Sequence, residues 1–499
     1  MAEQEQPVPE FPSQRLAKTL QASAAIAKPA LAALGGALIF ANAKHRIGDG
    51  SSRAAMYDNL EAFRAWTLAV DGTTLAIVLL TVTLLYLLFS KRSSSAYIVD
   101  FTVYKPPENL KCSHALFHEE SVASGKFTKD SLEFQSRLIA RSGLGDETYL
   151  PPGLHTTPLD ITMDTARQEA EMVMFGAVGD VLERTGIKPR DVGILIVNCS
   201  LFNPTPSLSA MIINHFKMRS DIRSYNLSGM GCSAGMISVS LANELLKVYP
   251  NQYVVIVSTE NITQNWYFGN ERSMLIPNVL FRMGGAAIVM TNKDSERHRA
   301  KYKLNHVIRD HLGADDDAFR CVYQKPDATG EVGVELKKNL VKIAGKALQR
   351  NLSRLAPLVL PPSEMSLFAM NWIAQKVVGM KVRTYVPDFK TAFDHFCLHA
   401  GGRGVIEGLE KQLGLPKDKV EPNFQTLEWY GNTSSATVWY SLAYAETVQS
   451  VRKGDVVWQV GFGSGFKCNS AVWTALRNID FVHEAWRHRR PGASGKKSA

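Results

Sequence analysis

Apolar positions along this 499-residue chain follow two regimes that change near residue 95. Before that point the apolar runs are long and unbroken. Leu75–Phe89 reads LAIVLLTVTLLYLLF and is followed by Lys91 and Arg92. Extended back to Trp66, it reaches the roughly 20 residues that a hydrocarbon core requires. Asp71 lies near one end, where the interface can hydrate it. Ala30–Ala43 is shorter, rich in Ala and Gly, and reads as a second span or an interfacial helix. Residues 1–94 are therefore expected to be a membrane anchor of one or two helices. A cleaved signal does not fit, because no small-residue cleavage site follows the strong run.

Beyond residue 95 short β-branched runs alternate with helical periodicity. VGILIV (192–197) and YVVIV (253–257) read as buried strands, and residues 233–248 and 340–355 as helices. The theme recurs with a strand at 366–370, helices at 404–413 and 435–451, and a strand at 456–460. Such alternation predicts a layered α/β fold, and its recurrence predicts an internal duplication. The expected halves are 95–325 and 326–480, with the polar stretch Lys325–Val334 as linker and 481–499 as a basic, solvated tail.

Composition adds little to this: 45% apolar and 21% charged residues are ordinary for a folded protein. The net charge of +9 is compatible with lipid headgroups or a polyanionic substrate. Most basic residues are dispersed, the densest run being the tail, and no nucleic-acid-binding motif is present, so no nucleic acid is expected as a partner. Six cysteines form no C-x-x-C pair, which argues against zinc, and their wide spacing favours a reducing compartment. The sequons at Asn226, Asn261 and Asn432 fall in segments that read as buried or catalytic, which argues against glycosylation.

Three segments carry candidate chemistry. Cys232 lies in NLSGMGCSAGM (226–236), directly before an apolar helix. A helix N-terminus would lower the pKa of its thiol. A packed core cysteine is the alternative reading. His399 ends the run FDHFCLH and precedes two glycines, at the end of a predicted strand. His395 and His399 have the i, i+4 spacing of a metal pair, but no HExxH motif is present and the segment reads as a strand, so no metal is expected. Asn432, in YGNTSSA (430–436), could equally be a helix cap. GFGSG (461–465) is not a dinucleotide fingerprint; it could aim a backbone N–H into a site.

With these segments in hand, the chain from about Tyr97 to Leu476 resembles the plant-type 3-ketoacyl-CoA synthases, condensing enzymes of the thiolase-like superfamily. The resemblance rests on long strings: SGLGDETYLPP (142–152), TENITQNWY (259–267), RSMLIPN (272–278), FRMGGAA (281–287) and HLGADD (311–316). It implies a duplicated five-layer αβαβα fold with an N-terminal transmembrane anchor. It implies a Cys-His-Asn triad at Cys232, His399 and Asn432, with His311 and His395 shaping the site. The implied reaction is a decarboxylative condensation of malonyl-CoA with a long-chain acyl-CoA through an acyl-Cys232 intermediate. Backbone N–H groups of Cys232 and Gly463 would hold the oxyanion, and no cofactor is required. Implied partners are membrane lipid, the reductases and dehydratase of elongation, and a second copy of the chain. The implied location is the endoplasmic reticulum membrane, with the catalytic region facing the cytosol. Glu428 and Val279 depart from the histidine and cysteine that many members carry there. A type III polyketide synthase shares the triad, but Leu75–Phe89 argues against that soluble family. A non-catalytic membrane scaffold is the other alternative, which the intact triad disfavours.

Overall fold

The computed structural model describes residues 80–81, 95–380, 382 and 385–491. Ala30–Ala43, Trp66–Phe89 apart from Leu80 and Thr81, and the end of the basic tail lie outside them. Among the described residues no helix is long and apolar enough to cross a membrane.

The first half contains β1 (Tyr97–Val103), α1 (His114–Ala123), α2 (Lys129–Ser142), α3 (Met163–Thr185), β2 (Val192–Asn198) and α4 (Leu208–Phe216). It continues with β3 (Arg223–Leu227), α5 (Ala234–Val248), β4 (Tyr253–Thr259), α6 (Arg272–Leu280) and β5 (Gly285–Thr291). There follow β6 (Tyr302–His311), α7 (Asp316–Phe319), β7 (Val322–Pro326), β8 (Val332–Leu336), α8 (Leu340–Val359) and α9 (Pro362–Lys376). The chain then forms β9 (His395–Leu398), α10 (Arg403–Leu413), α11 (Lys417–Tyr430), α12 (Thr437–Tyr444), β10 (Val456–Gly463) and β11 (Lys467–Ala475).

Nine strands join in the order β3-β2-β4-β5-β1-β6-β11-β10-β9. The pairing pattern occurs twice. β2 runs parallel to β4, and β4-β5-β1 continue antiparallel; β9 runs parallel to β10, and β10-β11-β6 continue antiparallel. In this correspondence α5 precedes β4 as α12 precedes β10, so the segments leading into the two helices, which carry Cys232 and Asn432, are structural counterparts.

The unbroken apolar strands are explained by burial on both faces. Ile194, Ile196, Val254 and Ile256 face a core shared with Met236 and Val239 of α5 and with Val438 and Trp439 of α12. The alternate residues Leu195, Val197, Val255 and Val257 pack with Ala170, Met174 and Val181 of α3. In the second half Phe396, Leu398, Trp458 and Val460 pack with Ala347 and Leu348 of α8 and Ile406 of α10. Each such side chain contributes about 1.5–3 kcal/mol. Both α5 and α12 touch strands of the two halves, which puts them in a middle layer with α3 and α8 outside. This is the expected layered α/β arrangement.

Four local expectations are corrected. Residues 366–370 lie in helix α9, not in a strand; their apolar run is too short for periodicity to decide between the two. Lys325–Val334 is not a linker. Its ends belong to β7 and β8, which form a hairpin around a turn held by Asp327. Residues 481–491 are not a solvated tail. Trp486 is fully buried and donates to the Tyr440 carbonyl at 3.0 Å, while buried His483 meets Glu446 at 2.7 Å. Asn261 and Asn432 are buried, but Asn226 is exposed on edge strand β3.

Candidate active site

The turn 231–233 ends in Ser233, which precedes α5. Cys232 thus sits one residue before the cap, part-exposed, on the wall of a cleft of about 860 Å³ measured to its open mouth. His399, Asn432, Ser434 and Gly463 line the same cleft. The remaining wall is mainly apolar, with Leu201, Phe281, Val405, Phe462 and Phe466 prominent. Val322, Val334 and Leu336 from the β7–β8 hairpin and Leu340 and Ala344 from α8 complete it.

His399 continues the β9–β10 pairing one residue past the strand, its N–H donating to the Val460 carbonyl at 3.0 Å. β9 is an edge strand, and Asn423 of α11 satisfies its free side: it accepts from the Leu398 N–H and donates to the Phe396 carbonyl. Asn432 is held by a bridge to Phe281, with its N–H on the Leu280 carbonyl and its carbonyl accepting from the Arg282 N–H. The string FRMGG therefore clamps the asparagine from the other half. Asn432 Oδ1 accepts from the Ser434 N–H at 2.8 Å, which leaves Nδ2 as the donor; it reaches the Gly401 carbonyl at 3.2 Å. A Cβ on Gly401 would lie 2.9 Å from His399 Nε2, so the imidazole and the amide converge on this glycine.

Ser434 links all three groups. It has a left-handed φ of 55°, an unusual conformation for serine of the kind found at constrained sites. Its N–H orients Asn432, its carbonyl accepts from Thr437 Oγ1 at 3.1 Å, and Thr437 Oγ1 lies 2.6 Å from His399 Nδ1. Its hydroxyl lies near enough to the Cys232 thiol to lower the thiol's pKa, and donates to Glu260 at 3.1 Å. Buried Glu260 also accepts from the N–H groups of Ser200 and Leu201 and from the Cys199 thiol.

The electrostatics correct one expectation. Burial, aided by the Glu260 carboxylate, pushes the Cys232 thiol up to about 12, outweighing the Ser434 hydroxyl that lowers it. Cys232 lies outside the first helical turn, and desolvation of the anion exceeds what the helix end offers. Burial also holds the His399 imidazole down at about 4. The resting pair is a neutral thiol beside a neutral imidazole.

The other predicted histidines stand apart from the cleft. His395 begins β9, about 13 Å from His399 at roughly 3.3 Å per residue, and contacts Asp455 at 3.1 Å. His311 is exposed at the end of β6. Its Nδ1 accepts from the Gly313 N–H, and its ring packs against Gly465 behind the turn that carries Ser464 and Phe466. Gly463 faces the nucleophile turn, where an added Cβ would lie 2.5 Å from Ser233 Oγ and 2.7 Å from the Met230 carbonyl. Glu428 is exposed on α11 and Val279 is buried in a separate cluster; neither lines the cleft. Sequence reading missed Ser434, Thr437 and Glu260 as site residues. Glu260 stood inside TENITQNWY, and an acidic residue at the end of an apolar strand was the available signal.

A thiol, an imidazole and an amide donor converging on an apolar cleft between duplicated halves define a condensing enzyme of the thiolase-like class. Residues 88–377 match the FAE1/Type III polyketide synthase-like protein family, and residues 390–475 match the 3-oxoacyl-(acyl-carrier-protein) synthase III C-terminal family. The C-terminal type III polyketide synthase domain of Steely1, a type I/III hybrid from Dictyostelium, has the same fold. Its TM-score is 0.61 at 17% identity, covering 77% of this chain and 99% of that one. The fungal type III polyketide synthase ORAS gives 0.58 at 15%, covering 76% and 99%. 3-Ketoacyl-CoA synthase 4 of Arabidopsis thaliana is 57% identical over 388 residues, 78% of this chain and 75% of the relative. 3-Ketoacyl-CoA synthase 9 of the same plant is 53% identical over 422 residues, 84% and 80%. The chain belongs to the 3-ketoacyl-CoA synthase family.

Proposed function

We infer that this protein condenses a long-chain acyl-CoA with malonyl-CoA to a 3-ketoacyl-CoA two carbons longer, with Cys232 carrying the acyl group. The observation that carries this reading is the Ser434 hub, which ties thiol, imidazole and amide to one apolar cleft. Identity of 53–57% to 3-ketoacyl-CoA synthases favours it over polyketide synthesis, for which the likeness is in fold.

Thr437 has one hydroxyl hydrogen, and donating it to the Ser434 carbonyl makes Thr437 the acceptor for His399 Nδ1–H. Nε2 then holds a free lone pair. As the Cys232 sulfur attacks the thioester carbonyl, its proton passes to Nε2, and the departing CoA thiolate takes that proton from His399. The N–H groups of Cys232 and Gly463 stabilise the oxyanion, each worth about 10²–10³ in rate. Before the second half-reaction His399 exchanges tautomer with solvent in the cleft, gaining a proton at Nε2 and releasing the one on Nδ1, and Thr437 turns to donate to the bare Nδ1. Nε2–H and Asn432 Nδ2 then donate to the malonyl thioester oxygen. CO₂ leaves, and the enolate carbon attacks the acyl-enzyme. The Cys232 thiolate is released and reprotonated, with net uptake of one proton. His311 steadies the turn beside Gly465 and acts through it.

The site sits on a chain anchored in the endoplasmic reticulum membrane by residues 1–94, with its catalytic region in the cytosol, where the CoA groups are. It works beside the reductases and dehydratase of elongation, and pairs with a second copy; the exposed edge of β3 supports that pairing.

The test supplies membranes bearing the protein with labelled malonyl-CoA and a panel of acyl-CoAs. Labelled 3-ketoacyl-CoA is expected, with little product from Asn432→Asp, which replaces a donor with an acceptor. An unchanged rate in that variant removes Asn432 from the reaction.

A further inference from the structure

Helix α9 buries none of its 15 residues. Leu367, Phe368, Met370, Trp372 and Ile373 are exposed by 40–59%. At 3.6 residues per turn they spread over about 260° of the circumference, while Glu364, Asn371 and Gln375 share the remaining sector and hydrogen-bond Val382, Tyr385 and Asp388. A partner protein's groove would cover one narrow stripe; an apolar face this broad, backed by one polar stripe, calls for an apolar medium around most of the helix. At 1.5 Å per residue α9 is about 22 Å long, too short to cross a hydrocarbon core of about 30 Å.

The charge around it selects the surrounding. Between Lys337 and Lys390 the sequence holds ten Lys and Arg against two acidic residues, Glu364 and Asp388, in a chain whose formal net charge is +9. Of these acids Glu364 is engaged by the Tyr385 hydroxyl and the Asp388 N–H. Arg350 and Arg354 pair with Asp310, but Lys342 and Lys376 are exposed and form no ion pair among the described residues. An apolar helix too short to span, set in a strongly basic segment, has the makeup of an element that lies in the interface of an anionic membrane. α8, whose first turns line the catalytic cleft, leads into α9 through Leu360 and Pro361.

We propose that α9 is a monotopic insertion element, immersed at the headgroup–acyl boundary of an anionic bilayer and distinct from the N-terminal segments. It requires no catalytic turnover, so its test is independent of the condensation reading. The full chain carrying p-benzoylphenylalanine at position 372 is reconstituted with phosphatidylcholine vesicles, with and without phosphatidylserine, and irradiated. The expected result is phospholipid adducts on the peptide containing position 372, several-fold more abundant with phosphatidylserine. Crosslinks to a second copy, crosslinks to residues 1–92, or the absence of lipid adducts would each overturn the proposal.

Discussion

Thr437→Val removes one hydroxyl and nothing else of comparable size. Thr437 is fully buried, and its hydroxyl meets both His399 Nδ1 at 2.6 Å and the Ser434 carbonyl at 3.1 Å. His399 is only 4% exposed, so water does not replace the lost partner at Nδ1. A buried polar atom left unpaired costs about 1–3 kcal/mol. If that cost falls on the transition state, the rate drops roughly 10- to 100-fold. Because the hydroxyl serves His399 as acceptor in acylation and as donor in decarboxylation, both half-reactions should slow. Single-turnover transfer of labelled acyl groups to the enzyme reads the first, and CO₂ release from malonyl-CoA reads the second. Thr437→Ser keeps the hydroxyl and should recover most of both rates. Wild-type rates for Thr437→Val in both assays would refute the hydroxyl's role, and a fall in only one would refute the tautomer exchange.

His399 should also leave a mark on stability. Its folded pKa of about 4 lies below the ordinary 6.5. The unfolded chain therefore takes the proton first, so the contribution is complete above pH 6.5 and is lost as pH falls towards 4. The shift corresponds to about 3 kcal/mol. Urea denaturation of His399→Gln should show a shallower loss of stability over that window than the parent; identical pH dependence would contradict the burial argument. Gly463→Ala places a methyl group against Ser233 Oγ and the Met230 carbonyl, displacing the nucleophile turn. Acylation should fall by about 10²-fold, as misplacements near 1 Å do, and a crystal structure with an unmoved turn and normal activity would disprove it.

The layered fold was legible because two-faced burial writes its strands as unbroken apolar runs: 192–197 and 253–257 became β2 and β4. Cys232, His399 and Asn432 were legible through the glycines and helix or strand ends beside them. The electrostatics were not, because the anion's desolvation depends on the protein packed around Cys232, including Glu260, which is 28 residues away in the chain. Ser434 and Thr437 do not stand out in the sequence; their roles arise from a left-handed turn that residue types alone do not announce. Residues 366–370 read as a strand because four consecutive apolar residues after Ser366 carry no period, and their exposure is invisible in one dimension. The basic segment escaped notice because its ten cations are spread over more than fifty residues and two helices.

The central claim is that Cys232 carries the acyl chain. Incubating the protein with a long-chain acyl-CoA in the absence of malonyl-CoA, then digesting it at low pH for mass spectrometry, tests this directly. The account predicts one acyl thioester, on the peptide containing Cys232, discharged by added malonyl-CoA and absent from Cys232→Ala. An acyl group on any of the other five cysteines, or normal 3-ketoacyl-CoA formation by Cys232→Ala, would contradict it.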